Sequence, residues 1–291
     1  DYFGADAMAD ILTRRSTDGL WSLFEMNGAE IADSGSVAIT RNLAFEVVEH
    51  ERPIGPAGAA GRQAVLAARE AGLACTCFLS HQDRSARTAQ ALATHLRLGT
   101  ELVYFGGDYR ARIQILRRYA QGRNCWLIPT GGSSWLGAVG FVNAAFELAE
   151  QIEEGHLPCP DELYVATGTM GTTAGLALGL ALAGLPVRVQ AVRVTDERFA
   201  SNPGLQRLIA KTAIMLRAHG VAIPANIETK INVEFRDEYF AGAYARSDAA
   251  TERAVGIAAD SGLELETTYT GKAMAALLGD IGHPRFADSK L

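Results

Sequence analysis

Lysine is scarce in this sequence. The chain has 27 basic residues among 291, but only four of them are lysine, and the first 210 residues contain none. Chemistry that needs a lysine amine in that part of the chain is therefore excluded for the sequence as it stands. Arginine supplies the other positive charges, so the shortage is partly a compositional bias. The lysines are Lys211, Lys230, Lys272 and Lys290.

Cysteines, long apolar runs and an excess of positive charge are also few or absent. Four cysteines without a Cys-x-x-Cys pair predict reduced thiols and a cytoplasmic protein. The longest apolar stretch, residues 174–185, is too short for a bilayer, which takes roughly 20 residues, and predicts a buried helix. The first residues show no secretory signal pattern. A net charge of −6 argues against nucleic-acid binding, and six scattered histidines predict no metal site.

The hydrophobic pattern alternates between strand and helix from about residue 62 onward. Short apolar runs predict strands at 74–79, 101–105, 125–128, 162–166, 187–194 and near 231–235. Helical spacing predicts helices at 62–72, 85–98, 109–121, 136–154, between the 167–172 loop and residue 184, at 203–220, at 248–261 and from 271. This alternation indicates βαβ units, and therefore an α/β fold with a parallel, doubly wound sheet.

A loop rich in glycine and threonine, ATGTMGTTAG at 166–175, separates a predicted strand from a predicted helix. Glycines let the backbone turn its N–H groups inward, threonines add hydroxyl donors, and the helix that follows presents the positive end of its dipole. The pattern predicts an anion site and, as its function, a phosphate cradle. A tight strand-to-helix turn is the alternative interpretation. The loop lacks the Gly-Lys-Ser/Thr of a Walker motif.

Two other segments have a similar character. Residues 128–137, IPTGGSSWLG, form a Gly/Ser loop that enters a helix. We expect this loop and the 166–175 loop to follow neighbouring parallel strands, so that both border one cleft. Residues 269–275, YTGKAMA, begin a helix, and an ordinary N-cap threonine is the alternative interpretation there.

Together the three segments resemble the tryptophan-synthase-β-like, fold type II family of pyridoxal-phosphate enzymes. The similarity is greatest to the branch of D-cysteine desulfhydrase and aminocyclopropane-carboxylate deaminase. That branch has an IPxGGS loop before LGxxGF/Y, a Gly/Thr phosphate loop before AGLxxGL, and YTGKA or YEGKS near the end. The matching residues here are Ile128–Ser133 with Leu136–Phe141, Thr167–Leu180 and Tyr269–Ala273, and Gly242 and Tyr244 also fit.

The resemblance implies an architecture of two doubly wound parallel-sheet domains. A larger cofactor-binding domain would comprise residues 1–40 plus 125–291. A smaller, mobile domain of residues 41–124 would bind the substrate carboxylate.

The resemblance also implies roles for individual residues. Thr270 would face the pyridine nitrogen of the cofactor, and Tyr269 would lie beside the substrate as an acid/base or hydrogen-bonding group. A hydroxyl at the pyridine position, where the deaminase has glutamate, favours chemistry at Cβ over cyclopropane opening. The residues that would cradle the cofactor phosphate are Gly168, Thr169, Met170, Gly171 and Thr172.

The shortage of lysine conflicts with this resemblance. Members of the family hold the cofactor on a lysine in the N-terminal part, and the same amine moves the α-proton. Alignment with the family places Ala38 in that lysine slot and Arg41, one helical turn on, at a position that contacts the phosphate. Three explanations stay open: a Lys→Ala variant at 38, a natural pseudoenzyme, or a misaligned segment. Lys272 is a poor substitute, because it belongs to the YTGKA segment.

The loop that would bind the substrate carboxylate falls at the end of residues 55–61. Its residues lack the Ser and Asn side chains of the family, although backbone amides at a helix start can hold a carboxylate. They are Ala57, Gly58, Ala59, Ala60 and Gly61. The connection from Ala38 to this loop is short for the family and relatives continue past Leu291, so a sequence that omits segments near 51–54 and after 291 is a fourth explanation that stays open.

We expect a cytoplasmic homodimer that binds pyridoxal 5'-phosphate and a small amino acid, with no nucleic-acid or membrane partner. The expected reaction is β-elimination with deamination, as in a desulfhydrase-like lyase. Two alternatives stay open. One is a β-replacing synthase similar to cysteine synthase or cystathionine β-synthase, which the GSV segment at 35–37 favours. The other is a catalytically silent homologue that binds the cofactor or an amino acid.

Overall fold

A computed structural model describes residues 12–14, 21–27, 30–37, 42–46, 59–79, 86–104, 125–281 and 283. The chain divides into two compact units, formed mainly by Asp33–Gly132 and by Ser133–Leu291. The domain limits expected from the sequence, 1–40 with 125–291 and 41–124, stay a prediction. The helix predicted at 109–121 lies outside the described residues.

Helices and strands alternate between residues 59 and 236 of the described chain, as the periodicity predicts from about residue 62, whereas four strands precede the first helix and two helices follow the last strand. The strands are β1 (Leu12–Arg14), β2 (Trp21–Asn27), β3 (Glu30–Val37), β4 (Asn42–Glu46), β5 (Ala74–Leu79), β6 (Glu101–Tyr104), β7 (Cys125–Ile128), β8 (Glu162–Thr167), β9 (Arg188–Arg193) and β10 (Val233–Arg236). The helices are α1 (Ala59–Glu70), α2 (Ala86–Arg97), α3 (Val139–Glu153), α4 (Gly171–Leu182), α5 (Asn202–Ala218), α6 (Ala249–Asp260) and α7 (Thr270–Asp280).

The unit that contains Asp33–Gly132 has a four-stranded sheet in the order β6-β5-β4-β7, and each neighbouring pair is parallel. Helix α1 covers β5 with buried Val65 and Ala68, which pack with Leu73 and Cys75. A three-stranded sheet, β1-β2-β3, occurs nearer the start of the chain, with β1 antiparallel to β2.

The unit formed mainly by Ser133–Leu291 contains a parallel sheet in the order β10-β9-β8. Strand β7 pairs with β4 and not with β8. Our expectation that the 128–137 and 166–175 loops follow neighbouring strands of one sheet is therefore wrong. Strand pairing depends on contacts far apart in the sequence, which the local pattern of each strand does not specify.

The β10-β9-β8 sheet has one apolar face, which packs on the core of this unit. One face presents Leu163, Val165 and Val189 to an apolar core that includes helices α4 and α5. Helix α4 is apolar nearly all round and almost wholly buried, which confirms the buried helix predicted from the 174–185 stretch. None of the described helices is long and apolar enough to cross a membrane.

Helices α3 and α4 approach each other closely through glycines. A Cβ atom on Gly175 would lie 2.3 Å from the carbonyl oxygen of Ala138 and 2.5 Å from Cβ of Phe141. A Cβ on Gly179, one turn later, would lie 2.6 Å from Cβ of Ala145. The absence of side chains at these two positions brings the start of α3 against α4, and Ser133 precedes that start by a few residues.

We predict that Gly175→Ala destabilises the protein although alanine is the better helix former. The added methyl group overlaps the backbone of α3, and such overpacking costs about 1–3 kcal/mol of the free energy of unfolding. Chemical denaturation measures the change.

The same substitution at Gly256 in α6 is the matched control, because a Cβ there meets nothing within 4 Å. Alanine at that position should raise the free energy of unfolding by about 0.5–1 kcal/mol through helix propensity. Equal effects of the two substitutions would contradict the close approach of α3 and α4.

Candidate active site

The loop at Gly168–Met170 connects the carboxyl end of β8 to the first residue of α4. Met170 adopts a left-handed backbone conformation, with φ at 72°, immediately before the helix. Such a conformation is uncommon outside glycine and is found where a functional turn requires it. The half-buried loop brings backbone N–H groups to the positive end of α4, an arrangement that suits an anion.

Ser133 connects the second sequence motif to this loop. Its Oγ accepts a hydrogen bond from the N–H of Gly171 at 3.1 Å and lies 2.7 Å from Oγ1 of Thr169. A Cβ on Gly171 would lie only 2.7 Å from the same Ser133 oxygen. The two motifs therefore meet, and glycine at 171 makes room for the serine.

Three further hydroxyl groups hold the two ends of the loop through hydrogen bonds. Thr195, just after β9, donates a hydrogen bond to the carbonyl oxygen of Gly168 at 2.7 Å. Thr167 and Thr173, both buried, share a hydrogen bond of 2.8 Å between their hydroxyl oxygens. Each satisfies a polar group that burial would otherwise leave without a partner. The turn is thus held rigidly at both ends.

Tyr269, which belongs to the third motif, lies against the Gly168–Met170 loop. A Cβ on Gly168 would lie 3.5 Å from Cε1 of the Tyr269 ring, so the ring borders the loop at ordinary van der Waals distance. Tyr269 is 38% exposed, whereas Tyr244 is buried. Their hydroxyl groups form a hydrogen bond, and their rings pack edge to face with centroids 5.8 Å apart.

Thr270 has its hydroxyl group engaged with Glu266. It accepts from the N–H of Glu266 at 3.0 Å and donates to the Glu266 carboxylate at 3.2 Å. That carboxylate also accepts from the N–H groups of residues 268–270. Burial acts against ionisation of Glu266, but these donors outweigh it and lower its pKa. Glu266 thus caps α7, and the contact of Thr270 with a pyridine nitrogen stays a prediction.

The other residues expected in the site are described only in part. Ala38, Arg41, Ala57 and Gly58 lie outside the described residues. Ala59, Ala60 and Gly61 form the first turn of α1, in the unit that contains Asp33–Gly132.

Sequence reasoning missed the roles of Ser133, Thr195 and Tyr244. Ser133 belongs to the IPTGGSSWLG motif, whose sequence does not indicate this contact, and Tyr244 is indicated only by its fit to the family. Thr195 could have been found from its position, because residues just past the carboxyl end of a parallel strand commonly line the binding crevice.

The site combines inward N–H groups, hydroxyl donors and two phenol groups. Its donors suit a phosphate, and the tyrosine ring beside Gly168 suits a flat aromatic group next to that phosphate. Pyridoxal phosphate fits these residues, because backbone N–H groups at a helix start and neighbouring hydroxyl groups bind a phosphate, and the Tyr269 ring borders the same loop.

The chain is similar to several known proteins. The model of the family described as pyridoxal-phosphate dependent enzyme matches residues 54–287. D-cysteine desulfhydrase of Salmonella paratyphi A is 32% identical over 238 residues, which cover 78% of this chain and 69% of that protein. The D-cysteine desulfhydrase of Salmonella paratyphi B is 36% identical over 184 residues, which cover 62% of this chain and 53% of that protein.

The fold also has close counterparts among solved structures. The crystal structure of an ACC deaminase homologue superposes with a TM-score of 0.64 at 23% identity, covering 82% of this chain and 69% of the other. This similarity confirms the α/β fold with parallel sheets that the sequence predicts.

Proposed function

Because the chain belongs to the pyridoxal-phosphate-dependent enzyme family, we propose that it is a lyase that eliminates a leaving group from Cβ of a small amino acid. The observation that carries the proposal is the meeting of the three motifs in one site: Tyr269 borders Gly168, and Ser133 holds the loop that follows. The similarity to D-cysteine desulfhydrases supports elimination as the reaction.

Each group in this site has a separate task in the proposed reaction. The backbone N–H groups of residues 168–172, other than that of Gly171, which donates to Ser133, would bind the cofactor phosphate, and the dipole of α4 would add to that attraction. The cofactor supplies the electron sink that loosens bonds at the α-carbon. Oη of Tyr269 gives a proton to the group that leaves Cβ, and Tyr244 orients that hydroxyl through their shared hydrogen bond.

We predict that the two tyrosines contribute unequally to turnover. In a chain whose lysine slot is refilled by Ala38→Lys, Tyr269→Phe should lower kcat about 100-fold, since the proton donor is lost. Tyr244→Phe should lower it about tenfold, because only an orienting hydrogen bond is lost. Steady-state kinetics with D-cysteine measure both effects, and unfolding midpoints show that the variants are folded.

Tyr269→Phe removes the hydrogen bond to Tyr244, so a fall in kcat reports chemistry only in a variant whose unfolding midpoint shows that it is folded. Unchanged kcat in Tyr269→Phe would remove this residue from the reaction.

Product analysis of the Ala38→Lys chain tests the proposed reaction itself. Elimination from D-cysteine gives sulfide and aminoacrylate, and water hydrolyses the aminoacrylate to pyruvate and ammonia. A β-replacing synthase, the second candidate, would instead form an adduct when a thiol is offered. Cofactor binding without either product would identify the silent homologue.

We further propose that the protein works as a homodimer in the cytoplasm. All four cysteines are free thiols, two of them buried, which suits a reducing compartment. The mass of the chain in solution, measured by light scattering, tests the dimer.

A further inference from the structure

Lys272 is fully buried, which is rare for a lysine. Its Nζ donates a hydrogen bond to the carbonyl oxygen of Phe240 at 2.9 Å and lies 5.9 Å from the centroid of the Phe240 ring. Removing an ammonium group from water costs free energy unless partners compensate it. A lysine at this position therefore has a role that a surface lysine would not need.

Burial and nearby negative charges have opposite effects on the pKa of Lys272. Burial lowers the pKa of its ammonium group, and the negative charges of Asp248 and Glu266 act in the opposite direction. Asp248 is also the N-cap of α6, where it accepts from the N–H of Thr251. Lys272 thus lies between the start of α6 and the segment that caps α7.

The segment that Lys272 contacts is strained. Ala241 and Ala245 adopt left-handed conformations, with φ at 60° and 59°, on either side of Gly242, Ala243 and Tyr244. A left-handed conformation is unfavourable for a residue with a side chain. Such strain persists only where surrounding contacts hold the backbone. The hydrogen bond from Lys272 is one such contact, and it is made immediately before the first strained residue.

Lys272 also connects the two tyrosines of the candidate active site. It lies three residues after Tyr269, at the start of α7, and its partner Phe240 lies four residues before Tyr244. Its hydrogen bond therefore ties the two segments whose tyrosine hydroxyl groups meet. Arg193 contacts the same Phe240 ring, at 5.8 Å from the centroid, and pairs with Asp237 at 2.8 Å.

We propose that Lys272 is a positioning residue that holds the strained 240–245 segment so that Tyr244 meets Tyr269. The inference rests on the proposed function, in which Tyr269 acts. Lys272 acts through the two tyrosines and does not itself take part in the reaction.

Fluorine NMR of the chain labelled with fluorotyrosine tests the inference without any need for activity. The chain has eight tyrosines, and Tyr244→Phe and Tyr269→Phe assign the two resonances of interest. Lys272→Met removes the hydrogen bond at similar volume and should shift both resonances, while the resonances of the other tyrosines outside residues 239–245 stay. Lys211→Met, an exposed lysine of α5, should shift neither.

A second variant, Lys272→Gln, retains a hydrogen-bond donor and should shift the two resonances less than Lys272→Met does. Unmoved resonances in Lys272→Met would overturn the inference. If neither variant folds, Lys272 supports the whole unit and not the tyrosine pair, which also overturns it.

Kinetics in the Ala38→Lys chain provide the second readout. Lys272→Met should lower kcat about tenfold and leave KM for the amino acid unchanged, because the tyrosine pair acts in proton transfer and not in binding. A fall in kcat without movement of the two fluorine resonances would contradict the positioning role. If the Ala38→Lys chain turns over no amino acid, the proposed function fails, while the fluorine experiment still decides the role of Lys272.

Discussion

Ala38→Lys is expected to attach pyridoxal phosphate covalently to the chain. With pyridoxal phosphate added, the variant should show the visible absorption of a lysine-linked cofactor, which the chain with alanine should lack. Turnover of D-cysteine should rise by at least about 100-fold, because a lysine at the slot supplies the base that removes the α-proton. Absorption spectra and product assays measure both changes.

A matched variant tests whether the cofactor requires a lysine at position 38 or attaches to any added lysine. Ala259→Lys places the same side chain on the exposed surface of α6 and should produce neither absorption nor turnover. Borohydride reduction followed by peptide mapping should locate the cofactor on residue 38. Modification at Lys211 or Lys272 instead would show that the N-terminal segment had been misaligned.

The sequence predicted the elements of the fold well because their signals are local. Strands β5 and β7 fall at the residues that the apolar runs indicate, 74–79 and 125–128. Helix α4 was identifiable from its apolar composition alone. The pairing of β7 with β4 was not predictable in this way, because the pattern of a strand does not name its neighbour.

The sequence likewise predicted the local turn of the candidate site but not the contacts that hold it. Glycines and threonines at 168–172 indicate a turn at a helix start, and the structure adds the contacts that hold it, from Ser133 and Thr195. The burial of Lys272 could not be inferred, because it depends on which side of α7 faces α6. That orientation comes from Gly271, where a Cβ would lie 2.6 Å from the side chain of Val255.

Asp280 is the centre of a polar network on the second face of the β10-β9-β8 sheet. Its carboxylate receives two hydrogen bonds from Arg236, one of them at 3.0 Å, and one from Tyr164 at 2.7 Å. Gln190, fully buried, contacts both Arg236 and Glu162. Tyr269 immediately precedes α7 and Asp280 ends it, so this ion pair fixes the far end of the helix that follows the tyrosine.

Asp280→Asn should therefore cost about 3–5 kcal/mol of the free energy of unfolding at neutral pH. The substitution leaves the buried guanidinium of Arg236 with only the more exposed Glu238 as a counter-charge, and breaking one partner of a buried ion pair has a cost of this size. Asp260→Asn, at the exposed end of α6, is the control and should change stability little. Urea denaturation at pH 7 measures both variants.

The stability that the Asp280 carboxylate contributes should depend on pH. Burial acts against ionisation of Asp280, but the hydrogen bonds from Arg236 and Tyr164 outweigh it and hold its pKa below the usual value. Stability from such a carboxylate is fully present above the pKa of the unfolded chain, about 3.9, and is lost as pH falls through the lower, folded value. The difference in unfolding free energy between the original chain and Asp280→Asn should thus stay constant from pH 7 to about pH 5 and shrink below about pH 4. A difference that persists undiminished at the lowest pH at which both chains fold would show that the Asp280 carboxylate does not stabilise the fold through its charge.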